Sequence, residues 1–194
     1  MGKSKALLPF GPELMVQRVV RILSEVVAPM VVVAAPDQDL PLLPAGVIIT
    51  RDDREGRGPL EGLRAGMSAL VSVNGDPLDE STPIFVTSCD VPLLQPAFIH
   101  EMLARIGTHD IAVPVEEKFA HPLAAVYRLR VLSTIAALLS ADQLRPAFLM
   151  DRVPTLRIPV ADLRSVDPDL LSLRNCNYPA EYEAALALAG FATT

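Results

Sequence analysis

Apolar positions along this chain fall into short blocks with two different periods. Leu14, Val16, Val19, Val20, Ile22 and Leu23 recur at helical spacing, with Gln17, Arg18 and Arg21 between them, which predicts an amphipathic helix. Gly11-Pro12-Glu13 reads as its start, with proline at the first helical position and an acid in the first turn, and Pro29 as its end. Met30 to Ala34, Gly46 to Thr50 and Ile84 to Ser88 are instead unbroken apolar or β-branched runs, the pattern of strands buried on both faces of a parallel sheet. A turn-rich link from Pro36 to Pro44 and a charged, glycine-bearing loop from Arg51 to Gly58 separate the early blocks. A helix over Pro59 to Val73 and a polar surface loop over Asn74 to Thr82 follow.

Past Ser88 the alternation continues. Ala97 to Ile106 predicts a helix, and Ile111 to Val115 and Leu123 to Tyr127 predict strands around a tip at Glu116-Glu117-Lys118. Helices over Val131 to Leu139 and near Pro146 to Met150, a short strand over Leu156 to Val160 and a closing helix over Pro179 to Ala189 complete the chain. Strands alternating with helices imply right-handed βαβ units. The expected fold is α/β, a three-layer α/β/α sandwich with a Rossmann-like, mostly parallel but mixed sheet, in one domain over residues 1–194. One piece is missing: chains of this class begin with a strand whose following loop binds phosphate, and residues 1–9 hold no run long enough for it.

With 51% apolar residues and a mean hydropathy of +0.35, the chain can bury a core and is not a disordered segment. The formal charge of −6 without a Lys/Arg tract argues against nucleic acid as a partner. No apolar run is long enough to cross a bilayer and no signal-peptide pattern opens the chain, so a cytoplasmic protein is expected. Cys89 and Cys176 make no disulfide framework, and His100, His109 and His121 share no metal-ligand spacing.

Candidate chemistry gathers where strands end. In Thr87-Ser88-Cys89-Asp90-Val91-Pro92 a strand stops at a carboxylate, and proline forbids its continuation. Ligands of open α/β sheets collect at such ends, and an acid there suits an oxygen-coordinated cation, Mg²⁺ with a phosphorylated substrate; an ordinary turn Asp before proline is the competing reading. The loop Arg51 to Gly58 follows another strand end. Gly58, Pro59 and Leu60 open a helix whose free N–H groups can meet an anion or a base edge, and Asp52 can accept from a nucleobase amino group, though a charged glycine loop is more commonly just solvated. Lys5 is either a surface lysine or a point charge for phosphate. Asn175 and Asn177 either cap the last helix or complete a polar shell. His121 at a strand start and Arg145 before Pro146 are candidate substrate contacts. Cys89 reads as a small buried hydrophobe, and no Ser/His/Asp or Cys/His arrangement is visible.

Taken together, Met1-Gly2-Lys3-Ser4-Lys5, Gly58-Pro59-Leu60-Glu61-Gly62, Cys89-Asp90-Val91-Pro92, His121-Pro122-Leu123 and Asn175-Cys176-Asn177-Tyr178-Pro179 resemble the molybdenum cofactor guanylyltransferase (MobA-like) family of nucleotidyltransferases. The resemblance implies transfer of GMP from GTP to the molybdopterin cofactor with release of pyrophosphate. It gives Asp90 the Mg²⁺, Lys5 the phosphates, Asp52 with Gly58, Pro59 and Leu60 the nucleotide, and His121, Asn175 and Asn177 the second substrate, with molybdoenzymes as further partners; Arg145, read from its own charge, is a further expected contact of that substrate. Tyr178 stands where that family usually has threonine. The family's first strand and most of its Gly-rich loop are absent, and Met1 falls inside that loop, as expected for a start placed late. A cytidylyl or sugar-phosphate nucleotidyltransferase is the rival within the class. A degenerate, non-catalytic cofactor- or partner-binding module is the rival outside it.

Overall fold

The computed structural model describes residues 4–52, 56–73, 76–117 and 119–191. Asp53, Arg54 and Glu55 of the charged loop, Asn74 and Gly75 of the polar loop, Lys118 of the tip, and Met1, Gly2 and Lys3 of the first motif lie outside the described residues.

Alternating apolar positions on the strands divide the core into two faces. The elements in order are α1 (Met15–Ser24), β1 (Met30–Ala34), β2 (Val47–Arg51), α2 (Pro59–Leu70), β3 (Pro83–Thr87), α3 (Pro96–Arg105), β4 (Ile111–Glu116), β5 (Phe119–Ala120), β6 (Ala124–Arg128), α4 (Leu132–Ser140), α5 (Pro146–Met150), β7 (Thr155–Pro159) and α6 (Pro179–Leu188). Ile111, Val113, Ala125 and Tyr127 pack with α2, α4 and α5, whereas Ala112, Ala124, Val126 and Ile158 pack with α1 and α3. The result is the expected three-layer sandwich. Its main sheet runs β7-β4-β6-β3, with β5 as a hairpin partner of β4. β7 and β4 are parallel, and β6 is antiparallel to both β4 and β3. β1 and β2 pair in parallel, apart from the main sheet.

Between the two sheet pieces lies a slot. Among the described residues β1 pairs only with β2, and β3 only with β6. The facing edges of β1 and β3 line one cavity of about 410 Å³, walled above and below by Val16, Val19 and Val20 of α1 and by Leu63, Met67 and Leu70 of α2. Both strands end at the same edge: Gln38, whose side chain accepts from the Ala35 N–H just past β1, donates to the Ser4 hydroxyl, while Lys5 reaches Asp90 just past β3. The edges of β1 and β3 and two apolar helix faces thus line one cavity.

The structure corrects two sequence readings. Gly11-Pro12 is not a helix start; it is the turn between two short antiparallel strands, Pro9–Phe10 and Glu13–Leu14, and α1 begins at Met15. The Gln17 side chain accepts from the Leu14 N–H at that start. The second helix ends at Leu70 rather than Val73, because Ser72–Val73 pairs with Asp76–Pro77. Gly11 has φ +63, and a Cβ built on it would lie 2.3 Å from Phe191 Cζ. Phe191 is held edge-on to Phe10 and under the Arg18 guanidinium, so it has little freedom to yield. Gly11→Ala is expected to cost about 2–4 kcal/mol from left-handed backbone strain and overpacking together. A urea unfolding midpoint within error of the parent's would refute that expectation.

Candidate active site at the carboxyl edge

β3 delivers Asp90 to the edge because Pro92 ends any extension, while Val91, Leu93 and Leu94 turn inward and are buried. The Pro92 carbonyl accepts from Arg18 Nε at 2.6 Å, which fixes the turn. Asp90 is only 8% exposed, so its carboxylate needs partners, and it has three. Lys5 Nζ donates to Oδ2 at 2.8 Å, the Ser88 hydroxyl donates to Oδ1, and Asn175 Nδ2 donates to Oδ1 at 3.2 Å. Lys5 comes from a single helical turn, Lys5–Leu7, anchored by the buried Ala6.

Alternation in an extended segment explains the two asparagines. The Cys176 N–H donates to the Asp90 carbonyl at 2.8 Å, and the Cys176 side chain is buried with Phe10, Met15 and Leu93. Asn175 and Asn177 are thereby turned outward on the same side, Asn175 to Asp90 and Asn177 Oδ1 to Lys5 Nζ at 2.5 Å. Asn177 is not the cap of α6. That work falls to Glu181, which reaches back to accept from the Asn177 and Tyr178 N–H groups at 2.7 and 3.0 Å.

Beside this cluster a second cavity, also about 410 Å³, is lined by His121, Arg174, Asn175, Asn177 and Glu181. His121 is set by a backbone bond to Pro114. Its Nε2 is buried, lies 3.6 Å from Glu116 Oε1 and makes no hydrogen bond among the described residues. On the other side of Asp90, Asp52 shares the slot's rim with Gly58, Pro59 and Ser88. Its Oδ1 lies 3.7 Å from where a Gly62 Cβ would be, which places the carboxylate beside the first turn of α2. Gly58 (φ +72) makes the turn into that helix, and Pro59 occupies its first position.

Not every sequence candidate belongs here. Leu60 is wholly buried under α2 and packs in the core; its side chain is structural. Arg145 is exposed at the start of α5, in the segment whose Leu144 carbonyl approaches Gly58, and is not among the groups bonded to Asp90. Ser88, Arg174 and Glu181 went unnoticed in the sequence. The one signal for Ser88 was a hydroxyl two residues before the acid. Burial pushes both thiols up to about 11, with the Asp90 charge adding to the effect, so neither is an activated nucleophile.

No group of three or more His, Cys, Asp or Glu side chains converges among the described residues. What converges is one carboxylate with a hydroxyl and two amides, a donor set of oxygen ligands that fits Mg²⁺ shared with substrate phosphates, and a cation, the Lys5 ammonium, already sits against it.

Residues 1–154 match the family model described as "MobA-like NTP transferase domain". The chain is 36% identical over 172 residues to the "Probable molybdenum cofactor guanylyltransferase" of Mycobacterium tuberculosis, covering 84% of this chain and 79% of the relative. It is 31% identical to the molybdenum cofactor guanylyltransferase of Desulfosudis oleivorans, covering 96% and 87%. Among solved structures, molybdopterin-guanine dinucleotide biosynthesis protein A from Archaeoglobus fulgidus superposes with a TM-score of 0.76 at 16% identity over 97% of this chain and 92% of that one. A cytidylyltransferase from Thermus thermophilus, acting on 2-C-methyl-D-erythritol 4-phosphate, superposes at 0.70 and 14% identity, covering 97% and 95%. These last two speak for the fold alone; with the family match over residues 1–154 and the two close relatives, the chain belongs to the MobA-like NTP transferases.

Proposed function

We propose that this chain transfers GMP from GTP to the phosphate of the molybdopterin cofactor and releases pyrophosphate. The observation that carries the reading is the convergence of Lys5, Asp90 and Asn177, from sequence positions 85 and 172 residues apart, at one strand edge. A cofactor phosphate oxygen attacks the α-phosphorus of GTP, the bond from that phosphorus to the bridging oxygen breaks, and pyrophosphate leaves. Catalysis of this kind is positioning plus charge stabilisation and needs no covalent nucleophile. Asp90, helped by the amide oxygen of Asn177, would hold Mg²⁺, which when bound neutralises charge on the phosphates.

The other residues bind and orient. Lys5 pairs phosphate oxygens, Asp52 at the head of α2 accepts from the guanine amino group, and the Gly58 and Leu60 N–H groups flanking Pro59 offer main-chain donors. The cavity with His121, Arg174 and the asparagines takes the cofactor phosphate, and molybdoenzymes receive the product. The chain works as a single domain in the cytoplasm; no helix among the described residues is long and apolar enough to cross a membrane.

A thermal-shift panel tests the reading. With Mg²⁺, GTP at about 100 times its Kd stabilises by about 2.7 kcal/mol, which for a chain of this size raises Tm by about 5–10 °C. CTP and ATP should raise it by less. Equal shifts would remove guanine recognition from the Asp52 loop, and a larger CTP shift would favour a cytidylyl enzyme.

A further inference from the structure

We propose that the Lys5 ammonium is a tethered placeholder for the divalent cation at Asp90, expelled when the metal arrives and then captured by the nucleotide's phosphates. This deepens the reading above and rests on it. The Asp90 carboxylate is divided in two: Oδ1 accepts from Ser88 and Asn175, which are donors, whereas Oδ2 accepts from the Lys5 ammonium alone among the described residues. Asn177 turns its amide oxygen to the same ammonium at 2.5 Å, so Oδ2 and Asn177 Oδ1 form a pair of oxygens pointed at one positive charge.

That charge sits where a metal would coordinate. Mg²⁺ bonds oxygen at about 2.0–2.1 Å, and Nζ already lies 2.8 Å from Oδ2, so the two cations cannot share the oxygen without close like-charge contact. Lys5 can leave. Its side chain is 33% exposed, against 11% for that of Asp90, and it stands on a four-carbon stem at the start of a three-residue turn. A free metal ion must therefore displace an ammonium that has nowhere comparable to go. A metal arriving with a triphosphate brings the displaced ammonium new oxygens to bind. The site consequently disfavours bare cations and favours the metal–nucleotide complex, and the two ligands help each other through Lys5.

Mn²⁺ is the probe, its free concentration followed by electron paramagnetic resonance with and without GTP. Lys5→Met removes the competing charge: Mn²⁺ alone should bind tenfold or more tightly than in the parent, while the tightening that GTP adds should shrink by a similar factor. Lys5→Arg keeps the charge and should stay near the parent, which separates competition from damage to the turn. In the parent, acetylation of Lys5 followed by mass spectrometry should speed up with Mn²⁺ alone and slow again with Mn²⁺ and GTP. Equal Mn²⁺ affinity in parent and Lys5→Met would overturn the placeholder while leaving a metal at Asp90. Mn²⁺ binding that survives Asp90→Asn unchanged, or is missing from parent and Lys5→Met alike, would overturn both. Tighter Mn²⁺ binding in Lys5→Met with no preference for GTP over CTP would uphold the placeholder and sink the guanylyl assignment.

Discussion

Asp90→Asn should lower guanylyl transfer by at least about a hundredfold while the protein stays folded, because removing one preorganised group that stabilises transition-state charge typically costs 10²–10³ in rate. Asparagine keeps the size of the side chain and one oxygen that can still accept from Ser88 or Asn175, the two donors on Oδ1. The variant removes the buried charge itself, and the lysine left behind is a third exposed and can turn to water, so Tm should move by only a few degrees. The Cys176 N–H bonds the main-chain carbonyl of residue 90, not its carboxylate, so the asparagine segment stays docked. Loss of folding in this variant would mean that Asp90 is chiefly structural. Full activity with a full Mg²⁺ requirement would remove it from the mechanism.

The contrast between what the sequence shows and what it hides follows from which interactions are local. Strands covered on both faces announce themselves through continuous apolar runs, so Met30–Ala34 and Pro83–Thr87 were legible to within a residue, but the runs do not carry pairing direction, and Pro83–Thr87 pairs antiparallel with β6. Asp90 was legible because a strand end and a proline are both local signals. Gly11-Pro12 misled for a non-local reason: proline after glycine suits a helix start and a tight turn equally, and the ring of Phe191, nearly the whole chain away, occupies the space beside Gly11. The roles of Asn175 and Asn177 were likewise undecidable until Glu181 was seen to serve as the cap and Cys176 as the inward anchor. Buried Asp167 gives no sequence signal at all. It accepts from the Leu171 and Ser172 N–H groups, and the Ser172 hydroxyl in turn accepts from the Gln95 N–H, tying the last third of the chain to α3. Leu60 stood in a recognisable motif, yet its side chain serves the core, since a motif fixes the backbone path without fixing which way each side chain faces.

Joining an extended apolar segment to the amino end, five β-branched residues followed by a short glycine-bearing loop, should raise Tm by about 10–20 °C. The argument starts from the slot. A strand placed there, parallel to β1 and β3, would satisfy the facing backbone edges of both and lie between the apolar faces of α1 and α2. If each residue buries roughly 100 Å² of apolar surface at ~25 cal/mol per Å², five contribute about 12 kcal/mol. Ordering them costs about 1.5 kcal/mol apiece, leaving a net gain of about 5 kcal/mol, and 2–4 °C per kcal/mol sets the expected shift. The amino end is the right place for the graft because Ser4 and Lys5 lie where a strand of that polarity would emerge. Amide exchange should slow at Val31 to Val33 and at Ile84 to Val86. A control segment with proline at alternate positions, unable to donate to either edge, should give neither effect. The same graft should increase transfer activity, since the strand would stiffen β1 and β3 just below Asp52 and Asp90. Unchanged melting and exchange would mean that β1 and β3 close on each other in solution and that the site is already as complete as this fold makes it.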